Sequence, residues 1–200
     1  MLDDPMWNSG RKPSNILLSI LVCTVSKRAH SFAPLIDSLS AQIDGKFPDV
    51  EIIYFGDNKK RSLATKRNDM IRCAKGDYVC FVDDDDVVSP DFVAKLHPAL
   101  MKGPDIVCYT VTCSVNGGPA VPVHFNKNFT CNANKPGLYE RMPNHLVPIK
   151  RELALQVPYE NVHGEDSVYA EKIRPLLTTQ EIVTDVLYQY IFNSRTSEAQ

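Results

Sequence analysis

The stretch Gly76 to Asp86, GDYVCFVDDDD, restricts what this chain can fold into more than any other. Tyr78 to Val82 has the length and residue types of a buried strand. It runs directly into Asp83, Asp84, Asp85 and Asp86. Adjacent carboxylates repel one another, and the usual relief is solvent or a divalent cation. The carboxyl end of a buried strand is where an open α/β sheet holds its ligand. Hard oxygen donors there suit Mg2+ or Mn2+, ions that also take substrate phosphates. An isolated acidic run marks a solvated loop. The apolar strand in front of this one turns the reading toward a site.

The segments before it repeat one theme. Ile16 to Cys23 reads as a buried strand and Thr24 to His30 as the loop after it. Ser31 to Ile43 is a helix by the spacing of Phe32, Leu35, Ile36, Leu39 and Ile43. Val50 to Phe55 is a second strand, closed by Gly56-Asp57-Asn58. Ser62 to Ala74 is a second helix with Leu63, Met70, Ile71 and Ala74 inward and Gly76 as its C-cap. Strand–helix–strand–helix–strand predicts a parallel sheet with right-handed crossovers, its loops 24–30, 56–61 and 83–89 gathered at the carboxyl edge.

Farther along, Ser89 is the candidate N-cap of a helix running to Met101, with Pro90 and Asp91 in its first turn. Residues 105–115 and 119–125 form a hairpin about Asn116-Gly117-Gly118. Asn126 to Pro143 reads as irregular, either an active-site lid or a fixed surface loop. A short strand over His145 to Ile149, helices over Lys150 to Leu155 and Gly164 to Ile173, and a strand over Ile182 to Phe192 complete the chain. The expectation is a single α/β domain over 15–197 behind a flexible lead-in over 1–14, with a mostly parallel central sheet flanked by helices and a small antiparallel portion in the C-terminal half.

A net charge of -2 argues against a general nucleic-acid binder, although a local basic face from Lys12, Lys59, Lys60, Arg61, Lys66 and Arg67 stays open. The six cysteines include no CxxC pair, so free thiols in a reducing, cytoplasmic setting are expected. A disulfide joining Cys108 to Cys113, or either to Cys131, is the alternative. No secretory signal and no spanning helix are expected, because MLDDPMWNSGRKPSN is polar and Ile16 to Val25 is too short to cross a bilayer.

Four features, in order, resemble the GT-A (Rossmann-like) nucleotide-sugar glycosyltransferases, especially glycosyltransferase family 2. SILVCTVSKR resembles the first strand and its nucleotide-contacting loop, though the proline and asparagine common there in the family are missing. EIIYFGDN carries an acidic residue after the second strand. KRNDMIRCAKGDYVCFVDDDD matches an Arg-Asn pair, a helix, a buried strand and a DxD motif. His163-Gly164-Glu165-Asp166 resembles the late acidic motif.

The resemblance implies donor contacts at Thr24, Ser26, Arg28, Asp57, Arg67, Asn68, Asp83 and Asp84. It implies metal ligation by Asp85 with Asp83, and catalysis by Asp166 as general base beside Glu165. A one-residue slip within the aspartates would promote Asp84 and Asp86. Lys66 or Lys150 would add a cation, and His124, His145 and His163 are further candidate ligands. The halves 15–100 and 101–197 would bind nucleotide sugar and acceptor.

The implied activity is a hexosyltransferase that moves a sugar from a nucleoside diphosphate sugar, UDP-sugar favoured, with Mn2+ or Mg2+ and inversion at the anomeric carbon. The acceptor hydroxyl would sit on a glycan, lipid, protein or modified nucleic acid. The alternatives are a sugar-nucleotide pyrophosphorylase, whose glycine-rich loop CTVSKRAH lacks, and a non-catalytic sugar-nucleotide-binding module.

Overall fold

The computed structural model describes residues 15–193; the lead-in over 1–14, Lys12 included, and the tail from 194 lie outside the described residues. β1 (Leu18–Thr24), β2 (Val50–Gly56) and β3 (Tyr78–Phe81) are parallel, in the order β2-β1-β3. All seven residues of β1 are buried, because a strand lies on either side and α2 (Leu63–Cys73) packs on it. At about 1.5–3 kcal/mol for each fully buried aliphatic side chain, Leu18, Ile20, Leu21 and Val22 make β1 the anchor of the core.

α1 (Ala29–Ile43) connects β1 to β2, and α2 connects β2 to β3. α1 begins earlier than its apolar spacing predicts, because a single 3-10 turn over Ser26–Arg28 leads into it. Ser62 caps α2, its Oγ accepting from the Thr65 N–H at 3.2 Å. Gly76 is not the C-cap of α2. The helix ends at Cys73, and the Ala74 N–H closes it on the Met70 carbonyl. Glycine is required at 76 by a close approach instead: a Cβ there would lie 2.5 Å from the Ser19 backbone N.

The chain continues through β4 (Val87–Val88), α3 (Phe92–Leu100), β5 (Ile106–Val115) and β6 (Val121–Phe125). Ser89 does not cap α3. Gln42 reaches across from α1, accepting from the Val93 N–H and donating to the Ser89 carbonyl, each at 3.0 Å. The β5–β6 hairpin forms as expected, with Asn116 and Gly117 at positive φ. Asn126 to Pro143, expected to be irregular, contains regular structure. It holds the hairpin β7 (Ala133–Lys135) and β8 (Leu138–Arg141), which turns at Gly137 and joins β6 through β8.

β9 (Ile149–Lys150), α4 (Arg151–Ala154), α5 (Glu165–Ile173) and β10 (Gln180–Phe192) follow. β9 runs antiparallel between β3 and β5, so β5 is parallel to β3. β10 lies on the other edge of β5, parallel to it, and also pairs with β4. Val79 and Ile106 stand at one level through Ile149, and β6 takes over the edge of β5 from Thr110 onward. The β6-β8-β7 ribbon therefore stands beyond the carboxyl end of β3, level with the aspartates. The result is one α/β domain with a mixed sheet, parallel core strands and flanking helices.

All six cysteines carry free thiols; Cys108 and Cys113 are buried in β5 and Cys131 is exposed. Among the described residues no helix is long and apolar enough to cross a membrane.

Candidate active site

A cavity of about 1120 Å³ opens where the carboxyl ends of β3, β5 and β10 meet the ribbon and the start of α5. Asp83 and Asp85 line it, whereas Asp84 and Asp86 are turned inward, 1% and 5% exposed. The turn closes from the Asp86 N–H to the Asp83 carbonyl at 3.2 Å. Each inward carboxylate has a holder. Asp84 Oδ1 accepts from Arg28 Nη1 at 2.6 Å. Asp86 accepts from the Tyr188 hydroxyl at 2.6 Å and from the Ile191 N–H at 2.9 Å.

The outward pair differ electrostatically. Burial raises the Asp83 carboxyl, but the charge and hydrogen bond of His145, followed by Arg67 and Arg28, outweigh it and hold Asp83 well below the usual carboxylate range. His145 Nε2 lies 3.3 Å from Asp83 Oδ2. Burial, the largest effect, also raises Asp85; Arg28 Nη2, 3.2 Å away, opposes it, the charges of Asp83 and Asp84 add to it, and the net shift is upward.

The late acidic motif lines the same cavity. Gly164, at φ 72°, starts α5 from the left-handed region, which suits glycine, and puts Glu165 and Asp166 in the first turn. Arg67 joins this motif to the aspartates: Nη1 is 2.8 Å from Glu165 Oε1 and Nη2 is 3.5 Å from Asp83 Oδ1. Its guanidinium is stacked between Phe81 and Tyr159, 5.6 and 5.2 Å from their ring centres. Among the described residues Asp166 Oδ1 accepts only the adjacent Ser167 N–H, at 2.8 Å.

The cavity thus gathers Arg28, Arg67, Asp83, Asp85, Glu165 and Asp166, and leaves Thr24, Ser26, Asp57, Asn68 and Asp84 off its lining. Thr24 is buried and Ser26 is exposed on its turn. Burial raises the Asp57 carboxyl, but Lys66, 3.2 Å away, and Arg61 pull it below its ordinary value. Asn68 grips the Tyr159 backbone at both ends, donating to its carbonyl at 2.9 Å and accepting from its N–H at 2.8 Å. His145 and His163 line the cavity, whereas His124 does not. Lys150 pairs with Asp105 at 3.0 Å, beside the amino end of β3 and away from the aspartates. In the suggested basic face, Arg61, Lys66 and Arg67 are each spent on carboxylates.

Tyr188 and Arg141 escaped sequence reasoning. A tyrosine in a strand carries no local sign of a partner 102 residues away. Arg141 sits in a segment whose short polar strands gave no periodic signal.

The donor set suits a divalent cation. Asp83 and Asp85 offer hard oxygens to one cavity, and the Arg28 guanidinium beside them is shared between Asp84 and Asp85. No group of three or more His, Cys, Asp or Glu side chains poised to hold a metal occurs among the described residues, so a diphosphate would complete the ligand set.

The sequence profile described as glycosyl transferase family 2 matches residues 36–154, more than half of the chain. No curated protein matches the sequence. Among solved structures, S. aureus TarS 1-349 in complex with UDP aligns with a TM-score of 0.63 at 15% identity, covering 88% of this chain and 60% of that one. The same protein in complex with UDP-GlcNAc aligns at 0.60 and 15% identity, over 92% of this chain and 60% of that one. The mannosyltransferase PcManGT from Pyrobaculum calidifontis, in complex with GDP-Man and Mn2+, aligns at 0.53 and 16% identity, over 94% and 62%. At these identities the likeness is one of fold, and the chain spans about 60% of the length of these neighbours.

Proposed function

The chain belongs to glycosyl transferase family 2, and from that premise we propose that it transfers a sugar from a nucleoside diphosphate sugar to an acceptor hydroxyl, with inversion. One observation carries the reading: two acidic motifs 82 residues apart, at Asp83 and Glu165, line a single cavity and share Arg67. UDP-sugar is the favoured donor, since two of the fold neighbours are complexes with UDP or UDP-GlcNAc.

Asp166 is the general base. Its carboxylate takes the proton of the acceptor hydroxyl as that oxygen bonds to the anomeric carbon. The bond from that carbon to the diphosphate breaks, and the nucleoside diphosphate leaves with the electron pair. A divalent cation held by Asp83 and Asp85 would supply Lewis-acid stabilisation to the leaving diphosphate. Arg28, fixed by Asp84 and Asp85, adds positive charge on the same side. Glu165 anchors the start of α5 through Arg67, so the base and the aspartates keep their spacing. Residues 15–100 serve the donor and 101–197 the acceptor. The free thiols suit a reducing, cytoplasmic compartment.

A calorimetric panel of UDP-, GDP-, CDP- and TDP-sugars, each with Mn2+ and with chelator, tests this reading. At least one donor is expected to bind with metal dependence, and Asp85→Ala should remove that dependence. Asp166→Asn should slow transfer by about 10²–10⁴ with donor affinity kept. Undiminished transfer in that variant would exclude Asp166 as the base.

A further inference from the structure

The ribbon wall of the cavity has a chemistry opposite to that of the aspartates. Arg28, Arg67 and Arg141 line the cavity, and the first two are each committed to two carboxylates. Among the described residues Arg141 is held only by neutral groups. Nη1 donates to the Ala133 carbonyl at 3.1 Å and the Glu140 carbonyl at 2.9 Å, and Nη2 to Asn134 Oδ1 at 2.7 Å. Its guanidinium lies over the Tyr139 ring, 5.2 Å from the centre. Among the described residues Nε has no partner.

Three asparagines line the same cavity. Asn132 Oδ1 accepts from the Met142 N–H at 3.0 Å and Asn144 Oδ1 from the Leu146 N–H at 3.1 Å. Asn134 Oδ1 accepts from Arg141. In each amide an N–H donor claims the oxygen, which fixes its orientation, and among the described residues the NH2 half has no partner. The groups left over on Arg141 and these three asparagines are then all donors. Such a set selects an oxyanion. The ion is met by a guanidinium already immobilised by three hydrogen bonds, so little side-chain freedom is lost on binding.

Resting on the transfer reading above, we propose that the acceptor carries an oxyanion, a phosphate ester or a carboxylate, bound by Arg141 with the amides of Asn132, Asn134 and Asn144. The diphosphate of the donor belongs at the aspartates with Arg28; the ribbon holds the second, separate negative group. This makes Arg141 a specificity-determining residue that favours an anionic acceptor over a neutral polyol or sugar.

The test is calorimetric titration of two matched pairs, glycerol 3-phosphate against glycerol and glucuronate against glucose, into the full chain with UDP and Mn2+. One charged member is expected to bind about tenfold or more tightly than its neutral counterpart. Arg141→Gln should abolish that preference. Asn132→Asp should do so too, since it keeps an oxygen for the Met142 N–H but sets negative charge against the probe. UDP affinity should stay within about twofold in both variants, and their thermal melting should show them folded. Equal binding within both pairs, no binding of either charged probe, or a preference unchanged in both folded variants would overturn the proposal. So would a parallel loss of UDP affinity, which would assign Arg141 to the donor phosphates. An Arg141 dependence seen only when UDP-glucuronate replaces UDP-glucose would overturn it as well, by moving the oxyanion to the transferred sugar. If wild type binds the charged probe but no nucleotide, the transfer reading fails and the oxyanion site stands.

Discussion

Tyr188 shows how much one side chain can fix. Its hydroxyl donates to Asp86 Oδ2 at 2.6 Å and accepts from the Asp83 N–H at 3.0 Å, so it grips both ends of the aspartate turn. Burial first, and the Asp83 charge next, push the Asp86 carboxyl well above its ordinary value. An acid in that position needs a partner, and the tyrosine provides it. Tyr188→Phe leaves a buried carboxyl oxygen and the Asp83 N–H without their partner. The expected cost is about 1–3 kcal/mol, read from urea unfolding, together with weaker metal-dependent donor binding as the turn loosens. A variant with wild-type stability and wild-type donor affinity would show that the turn holds itself. The sequence displayed the four aspartates but not which two face outward. That choice rests on Arg28, Tyr188 and the Ile191 N–H, two of them more than 100 residues from the turn.

At the level of elements, α2 is the hub. Lys66 holds Asp57, Arg67 holds Asp83 and Glu165, and Asn68 holds the Tyr159 backbone. At its far end Arg151 donates to the Ile71 and Arg72 carbonyls at 2.8 and 3.0 Å. Apolar spacing correctly implied the helix and the inward Met70, Ile71 and Ala74. It could not imply that Lys66 and Arg67 are buried, since basic residues read as surface until their partners are known. The resemblance likewise made the Arg-Asn pair a donor contact, yet the Asn68 amide is engaged in clamping the segment that leads into α5. The clamp continues in the Tyr159–Tyr169 stack, with ring centres 4.1 Å apart, which fastens that segment to α5 itself. Asn68→Ala removes the acceptor for the Tyr159 N–H and should cost about 1–3 kcal/mol. Because Asn68 is off the cavity lining, transfer rate should fall more than donor affinity as Asp166 loses its setting. Steady-state kinetics beside calorimetry would reveal the split, and an equal fall in both would place Asn68 in the donor site after all.

Across the whole molecule, the two ends of the sheet do different work. The carboxyl ends of β3, β5 and β10 hold the cavity, and the amino ends of β5 and β10 are tied by Asp105. Asp105 Oδ2 accepts from the Thr178 N–H at 2.8 Å, its hydroxyl at 2.6 Å and the Thr179 N–H at 2.9 Å, while Oδ1 meets Lys150. Burial raises this carboxyl, but the Thr178, Thr179 and Lys150 bonds outweigh it and set Asp105 well below the ordinary carboxylate range. A carboxyl depressed in the folded state binds its proton more weakly there than in the unfolded chain. Its contribution is therefore complete above the unfolded value of about 3.9 and is lost as pH falls through the lower folded value. Urea midpoints should accordingly hold steady above about pH 5 and decline as pH drops below about 4. Asp105→Asn loses the Lys150 pair and turns an amide N–H or a weaker acceptor toward three donors. It should be less stable at pH 7 by about 2 kcal/mol or more and show a shallower decline in acid. Since Asp105 lies at the opposite end from the cavity, donor affinity at pH 7 should be unchanged while the variant is folded. An acid slope identical to wild type would shift the pH sensitivity to the other depressed carboxyls, Asp57, Asp83 and Asp185.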